Sequence, residues 1–296
     1  MILGCPDSRH RNRQAMGKPA LELRKAVSFA LASPSLPMTR DDLTRAMVDG
    51  LRDHVKLANP DETIMAEGDG YPALRRLKVD LTDAAINTGH KPAKLKSREP
   101  AAPGVHAEQF EFRADPMNID GGQIHLDIRA RDVAFGVVHD RAGRPVLSLD
   151  DARDGQVSCE TTTRDLSTIF RASANERGKP FGLSVQKAKL SLTSQTQRDV
   201  SADLRLASRL LLVPIQLHFT AHVTVDHAGN ARLSGLTCEG DDAAGILITQ
   251  FIRPALAQYN NITMPLVAFP SPTIRLHDVT VQVQGEVVRL AAAFGS

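Results

Sequence analysis

The segment Ile215–Asp226 constrains the fold of this chain more than any other stretch, because apolar and polar residues alternate along it without interruption. Its odd positions are all apolar: Ile215, Leu217, Phe219, Ala221, Val223 and Val225. An alternation of period two places these side chains on one face of a β-strand. At roughly 3.3 Å per residue the strand spans about 40 Å, which is longer than most strands in globular domains. Such a strand needs an apolar partner to cover one of its faces.

The apolar register changes face at three points along the predicted strands. It is even over 124–130 and odd over 133–137, so one extra residue near Arg131-Asp132 predicts a β-bulge. A second change falls at Pro214 and a third across His277-Asp278. Bulges sharpen the twist of a sheet and let long strands bend. The three changes therefore favour a strongly curved sheet.

Two segments have the spacing of amphipathic helices. Thr39–Leu57 carries apolar residues at steps of four, namely Leu43, Met47, Leu51 and Val55. The segment from Asp242 to about Asn260 repeats steps of three and one, with Ile248, Phe251, Ile252, Ala255, Leu256 and Tyr259. Both patterns match an apolar stripe on a helix. Pro254 lies inside the second segment and predicts a kink, and a shorter helix is predicted over Asp165–Ala174.

These elements predict an α+β fold. About ten strands and two strong helices fit a long, highly curved antiparallel β-sheet wrapped around a long amphipathic helix, with a second helix near the N-terminus. Residues 1–38 contain four prolines and no periodic pattern, so we expect a flexible, basic N-terminal arm. Residues 39–296 contain no repeat or linker, and we expect them to form one domain.

Composition and charge narrow the choice of partners. The 296 residues include no Trp and two Tyr, and aromatic residues make up 4%. Proteins that bind nucleic acids or sugars by stacking depend on such rings, so we expect no nucleic-acid partner. The net charge is +2, but residues 1–25 carry six basic and two acidic residues. A solvated, disordered tail is the favoured interpretation of this basic arm, and peripheral contact with an anionic membrane is the alternative.

The sequence contains no motif of an enzyme active site. Gly-x-Ser-x-Gly, phosphate-binding glycine loops, dinucleotide fingerprints and His-Glu-x-x-His are all missing. His218 and His222 share the polar face of the opening strand, but they lie about 13 Å apart, too far to bind one metal ion. Three scattered cysteines do not form a disulfide framework or a zinc site. We therefore expect no catalytic residue, no metal and no cofactor, with a lipid esterase assembled by folding as an alternative.

The last third of the chain resembles the tubular lipid-binding (TULIP) superfamily, in particular bacterial periplasmic phospholipid-binding proteins. The resemblance lies in element order and apolar pattern over Ala202–Phe294, with no signature motif. Its parts are the hairpin of Leu204–Val213 with Ile215–Val225, the helix Ile246–Tyr259, the corner Phe269-Pro270 and the closing strand Ile274–Val281.

The resemblance implies non-enzymatic binding or transfer of a lipid in an elongated apolar groove. It also implies a location in the bacterial periplasm or cell envelope, with the cytoplasm as the alternative. The expected lining is Leu204, Leu206, Ile215, Leu217, Phe219, Ala221, Val223, Ile248, Phe251, Ile252, Leu256, Val279 and Val281. A scaffold or assembly protein of the same fold, with a filled interior and a protein partner, is the alternative function.

Overall fold

The fold is known from a computed structural model that describes residues 28–86, 102–210, 213–227, 229–266 and 274–296. Strands account for 61% and helices for 20% of the structure. The predicted α+β class, with a large curved sheet and few helices, is therefore confirmed.

The helices and strands have the following bounds. The helices are α1 (Arg40–Arg52), α2 (Pro60–Thr63), α3 (Thr163–Gly178) and α4 (Ala243–Ala257). The strands are β1 (Ser28–Ala30), β2 (Val55–Lys56), β3 (Ile64–Glu67), β4 (Ala73–Asp80), β5 (Ala85–Ile86), β6 (Ala102–Ile119), β7 (Gly122–His139), β8 (Pro145–Thr162), β9 (Leu183–Thr196), β10 (Asp199–Leu210), β11 (Val213–Val225), β12 (Asn230–Gly240), β13 (Thr263–Pro265), β14 (Arg275–Gln284) and β15 (Val287–Gly295).

The strands divide between two sheets. The first has the order β14-β15-β8-β7-β6-β4-β3, with β1 on β8 and β5 on β6, and the second has the order β13-β12-β11-β10-β9. Pairing is antiparallel except where β4 and β5 run parallel to β6. The central strands β6, β7 and β8 have 18 residues each, which corresponds to about 60 Å.

The two sheets meet along their edge strands β9 and β14. The backbone N–H of Val283 donates to Ser194 Oγ at 3.1 Å, and the backbone N–H of Val281 donates to the carbonyl of Gln197 at 2.7 Å. The single sheet expected from the sequence is thus built as two sheets in edge contact. The chain passes from the first sheet to the second through α3, which precedes β9, and returns to the first sheet after α4, where β14 begins.

One of the expected bulges is confirmed at Asp278, because the register of β14 with β15 shifts between His277 and Thr280. At Asp132 the registers of β7 with β6 and β8 continue without a shift, and the shift between β7 and β8 lies between Ala134 and Phe135. Asp132 has φ 49° and Asp278 has φ 53°, the left-handed conformation in which aspartate is enriched. Buried side chains flank each of them, Ala130 and Val133 at the first and Leu276 and Val279 at the second. The left-handed residue turns the strand, so apolar side chains on both sides of it stay in the core. The change at Pro214 adjoins residues 211–212, which lie outside the described residues.

Each sheet has its own hydrophobic core. The first core joins α1 to β4, β6, β7 and β8 and contains Phe29, Phe110 and Phe135, whose ring centroids are 5.3 to 6.3 Å apart in edge-to-face contacts. The second core contains Val185, Leu206, Ile215, Leu217 and Cys238. Residues of α3 and α4 pack against this second core.

Several boundaries differ from the expectation. Residues 28–38 are not part of a flexible arm, because β1 pairs with β8, and Phe29 and Leu31 are buried at 4% and 1% exposure. Because the nearby prolines indicate an arm, this short alternating strand is not evident from the sequence. The first strong helix ends at Arg52, because Val55 enters β2. The segments 145–149 and 156–162 have separate strand patterns in the sequence, but they belong to one continuous strand, β8.

Candidate functional site

The apolar faces of β10 and β11 are paired row by row. Leu206 lies opposite Leu217, Leu204 opposite Phe219, and Ala202 opposite Ala221. Because side chains alternate along each strand, these rows share one face of the second sheet. The face therefore carries large side chains at one end and a pair of alanines further along.

Helix α4 is fixed over this face at its first turn. Asp242 accepts hydrogen bonds from the backbone N–H of Gly245 at 2.6 Å and of Gln216 at 3.0 Å. The carboxylate thus caps the helix and ties it to β11. A Cβ atom at Gly245 would lie 2.6 Å from the carbonyl oxygen of Gln216, so glycine allows this close approach. The sequence Asp-Asp-Ala-Ala-Gly therefore sets the helix directly on the sheet.

Helix α3 is fixed on the neighbouring strand β9. The side chain of Asn175 accepts from the backbone N–H of Val185 at 2.6 Å and donates to its carbonyl at 3.0 Å. Ser167 Oγ accepts from the backbone N–H of Leu190 at 3.0 Å. Two helices therefore lie on the apolar face of the second sheet, one over β9 and one over β11 and β12.

The predicted lining residues near the start of α4 form a packed core. Leu206, Ile215 and Leu217 are 9%, 2% and 7% exposed. Ile248 and Leu256 of α4 are partly buried against this cluster. At this end of the sheet the interior is thus closed by side chains.

Burial decreases in the middle of the same face. On β11, Phe219, Ala221 and Val223 are half-buried, and Val225 is buried again in the first core. The same holds on β10 and on β9, the strand next to β10 in the sheet. We name this region the apolar strip, and it consists of the half-buried residues Leu190, Leu192, Val200, Ala202, Leu204, Phe219, Ala221 and Val223. The strip lies between two packed cores and is partly open to solvent.

The remaining predicted lining residues lie elsewhere. Ile252 of α4 is half-buried, and the side chain of Phe251 lies outside the described residues. Val279, which is fully buried, belongs to the first core, and Val281 packs against it. The structure thus brings the β10, β11 and α4 residues together and places the two β14 residues at the junction of the sheets.

A cleft of about 1290 Å³ opens at this junction, and none of the predicted lining residues borders it. Phe110, Leu276 and Phe294, which are buried, also border it. Four arginines border it: Arg129, Arg131, Arg153 and Arg275. The sequence carries a partial signal for this site, because Arg129 and Arg131 share one face of β7 immediately before Asp132, whose backbone is left-handed.

Carboxylates hold three of these arginines in place, and Arg129 Nε lies 3.0 Å from Asp127 Oδ1. Arg131 Nε donates to Asp154 Oδ1 at 2.8 Å, and Arg153 Nε donates to Asp154 Oδ2 at 3.3 Å. The hydrogen bond from Arg131 lowers the pKa of Asp154, and the bond from Arg153 adds to this against the opposing effect of burial. Within the described residues Arg275 has no carboxylate at ion-pairing distance. The cleft thus has fixed guanidinium groups and one that is unpaired.

The opposite, polar face of the second sheet carries histidine contacts. Ser201 Oγ lies 3.2 Å from His222 Nδ1, and His222 Nε2 lies 3.6 Å from Asp199 Oδ1. His218 Nε2 lies 2.6 Å from Asp203 Oδ2. These groups alternate with the apolar strip along β10 and β11, so they point away from it. They belong to a different surface from the strip, and none of them borders the cleft.

The described residues offer few other reactive groups. They contain no cluster of three or more His, Cys, Asp and Glu side chains that could hold a metal ion. Cys159 and Cys238 are free, and burial raises the pKa of both thiols. Within the same part of the chain, no helix is long and apolar enough to cross a membrane.

Comparison with known proteins adds no assignment. Neither protein-family models, nor curated protein sequences, nor solved structures gave a match to this chain. Its function must therefore be inferred from the geometry of the apolar strip and of the cleft.

Proposed function

We propose that this protein binds or transfers a lipid without enzymatic activity, and that it holds acyl chains on the apolar strip. The observation that carries the proposal is the half-buried state of the strip between two packed cores. Burial of apolar surface is favourable by about 25 cal/mol per Å². A bound chain would cover the accessible part of the strip and recover this free energy.

The dimensions and chemistry of the strip fit an acyl chain. The distance along β11 from Phe219 to Val223, the length of the strip on this strand, is about 13 Å. A bilayer core is about 30 Å thick, so one lipid chain extends about 15 Å. The strip is mostly aliphatic, with Phe219 as its one aromatic residue. A surface of this kind favours a flexible hydrocarbon over a polar or aromatic ligand.

The element order supports the same proposal. The hairpin β10–β11, the strand β12, the helix α4 and the later strand β14 follow one another in the order on which the TULIP resemblance rests. A location in the bacterial cell envelope and peripheral contact of the basic arm with an anionic membrane belong to this proposal. The alternative scaffold function requires a filled interior, and the half-buried strip favours lipid binding over it.

The proposal is tested by replacing the smallest side chains of the strip with larger ones. Ala202 and Ala221 are cross-strand partners, so replacing both by Leu adds bulk at one level of the strip. We expect the double variant to take up a fluorescent acyl probe at least about tenfold more weakly than the natural protein. Ala207→Leu is the matched control, because Ala207 pairs with Gln216 on the opposite face and should leave uptake unchanged.

Two results would contradict the proposal. The first is a natural protein that carries no lipid in native mass spectrometry and takes up no acyl probe. The second is hydrolysis of short acyl esters that disappears in Ser201→Ala, because the hydroxyl of Ser201 is within hydrogen-bond distance of the His222 ring on this sheet. That result would favour the esterase alternative instead.

A further inference from the structure

The cleft between the two sheets is bordered by four arginines, as expected for an anion-binding site. It is separate from the apolar strip. We propose that the cleft binds a phosphate ester through Arg129, Arg131, Arg153 and Arg275. This inference is independent of lipid binding on the strip, because the two regions share no residue. The ligand is either the headgroup of a phospholipid or a soluble phosphate ester.

The four arginines come together from separate strands. Arg129 and Arg131 lie on β7, opposite Gln156 and Asp154 of β8. Arg275 begins β14, opposite Gly295 of β15, and β15 lies between β14 and β8 in the sheet. The registers of β7 with β8, β8 with β15 and β15 with β14 thus bring the four arginines to one level of the first sheet, and the cleft lies at this level.

The ion pairs leave hydrogen-bond donors for a ligand. A guanidinium group has five N–H donors. Arg131 uses Nε on Asp154, whereas Arg153 uses Nε on Asp154 and Nη1 on Asp132 at 2.6 Å. The other N–H groups of both side chains have no carboxylate partner within the described residues. The carboxylates thus orient the arginines and do not saturate them.

The number of guanidinium groups favours phosphate as the recognised anion. Planar guanidinium groups bind phosphate and carboxylate with paired hydrogen bonds. A phosphate ester offers more acceptor oxygens than a carboxylate, so it can accept bonds from several arginines together. The existing ion pairs are exposed and contribute little to stability. A phosphate can therefore compete for these donors without breaking a strong contact.

The test compares two phosphate probes on the full chain by isothermal titration calorimetry. Glycerol 3-phosphate presents a phosphate ester without chains, and monomeric dihexanoylphosphatidylglycerol presents a phosphate diester with short chains. We expect at least one probe to bind, with an affinity that falls between about 50 mM and about 500 mM sodium chloride because salt screens the arginines. Binding of the first probe identifies soluble esters as sufficient ligands, and binding of the second alone identifies a lipid headgroup.

Variants then assign the binding to the cleft. Arg131→Gln combined with Arg275→Gln should weaken binding at least about tenfold. Arg205→Gln is the control, because Arg205 is also exposed and lies beside a carboxylate, Asp203, at 3.6 Å on the second sheet. The variant in which Ala202 and Ala221 are both replaced by Leu should bind glycerol 3-phosphate as the natural protein does. This test therefore does not depend on the proposal that the strip binds lipid.

Clear outcomes would overturn the proposal. If neither probe binds the natural protein, the cleft is not a phosphate site. The same conclusion follows if Arg205→Gln weakens binding as much as the double variant, because the effect would then be one of general charge. Both arginines in the double variant are exposed, and an unchanged thermal unfolding midpoint shows that the fold is retained.

Discussion

The ring of Phe294 lies directly over Gly155, its cross-strand partner between β15 and β8. A Cβ atom at position 155 would come within 2.3 Å of Cζ of that ring. Aromatic side chains cover glycines in β-sheets in this way and restore the packing that glycine lacks. Phe294 is 3% exposed, so the ring is confined. Both residues border the cleft.

Gly155→Ala should destabilise the protein by about 1–3 kcal/mol, the usual cost of overpacking a core. The backbone of Gly155 is not left-handed, so the cost comes from displacing the Phe294 ring. Urea unfolding measures the change in the free energy of unfolding. Gly70→Ala is the matched control, because the nearest atom to its Cβ would be 3.8 Å away. Equal effects of the two substitutions would contradict this explanation.

The left-handed conformation of Asp132 leads to a second prediction. At φ 49° a β-branched side chain is strained, at a cost of about 1–2 kcal/mol. Asp132→Val should therefore lower the free energy of unfolding by at least this amount. Asp132→Asn keeps a side chain that tolerates this conformation and loses only the exposed ion pair with Arg153, which contributes about 0–1 kcal/mol. Chemical unfolding measures the free energy of unfolding of both variants, which should be lower for Asp132→Val than for Asp132→Asn. Equal values would exclude backbone strain as the cause.

The left-handed residues Asp132 and Asp278 show which part of the fold can be predicted from sequence. A change in the parity of apolar residues indicates both turns, because each strand must keep its apolar side chains in the core. The helix of Ala243–Ala257 is predictable for the same reason, since its apolar spacing is local. Local periodicity therefore identifies elements and their irregularities.

Contacts between distant segments cannot be predicted in the same way. The division into two sheets depends on which edges meet, and the contact of Ser194 with Val283 joins residues far apart in the chain. The arginines of the cleft come from β7, β8 and β14, so no spacing in the sequence reveals them together. The alternation along β11 identifies its apolar residues, but their graded burial depends on where the two helices end over the sheet.

The graded burial on the second sheet predicts unequal costs for truncating two isoleucines. Ile215 is 2% exposed and Ile246 is 52% exposed. Ile215→Ala should lower the free energy of unfolding by about 2–5 kcal/mol, because it leaves a cavity in the second core. Ile246→Ala should change it by less than about 0.5 kcal/mol. Thermal or urea unfolding compares them, and similar losses at both positions would mean that α4 is not seated as described.

The carboxylate of Asp140 predicts a dependence of stability on pH. This side chain is 2% exposed and accepts hydrogen bonds from the backbone N–H groups of Ala142 and Arg144 and from the Arg144 guanidinium at 2.8 to 2.9 Å. Burial alone would raise its pKa, but the bonds from Arg144 and Ala142 outweigh burial and lower the pKa. The β7–β8 turn therefore holds Asp140 in its ionised form.

A lowered pKa in the folded state means that ionised Asp140 stabilises the fold at neutral pH. This contribution is fully present above the unfolded-state pKa of about 3.9 and is lost as the pH falls through the lowered folded-state pKa. Asp140→Asn should cost about 1–3 kcal/mol at pH near 7, and its difference from the natural protein should shrink in acid. Urea unfolding across pH measures this. Asp69→Asn, at an exposed site, is the control, and a difference at Asp140 that stays constant down to low pH would show that the carboxylate charge is not responsible.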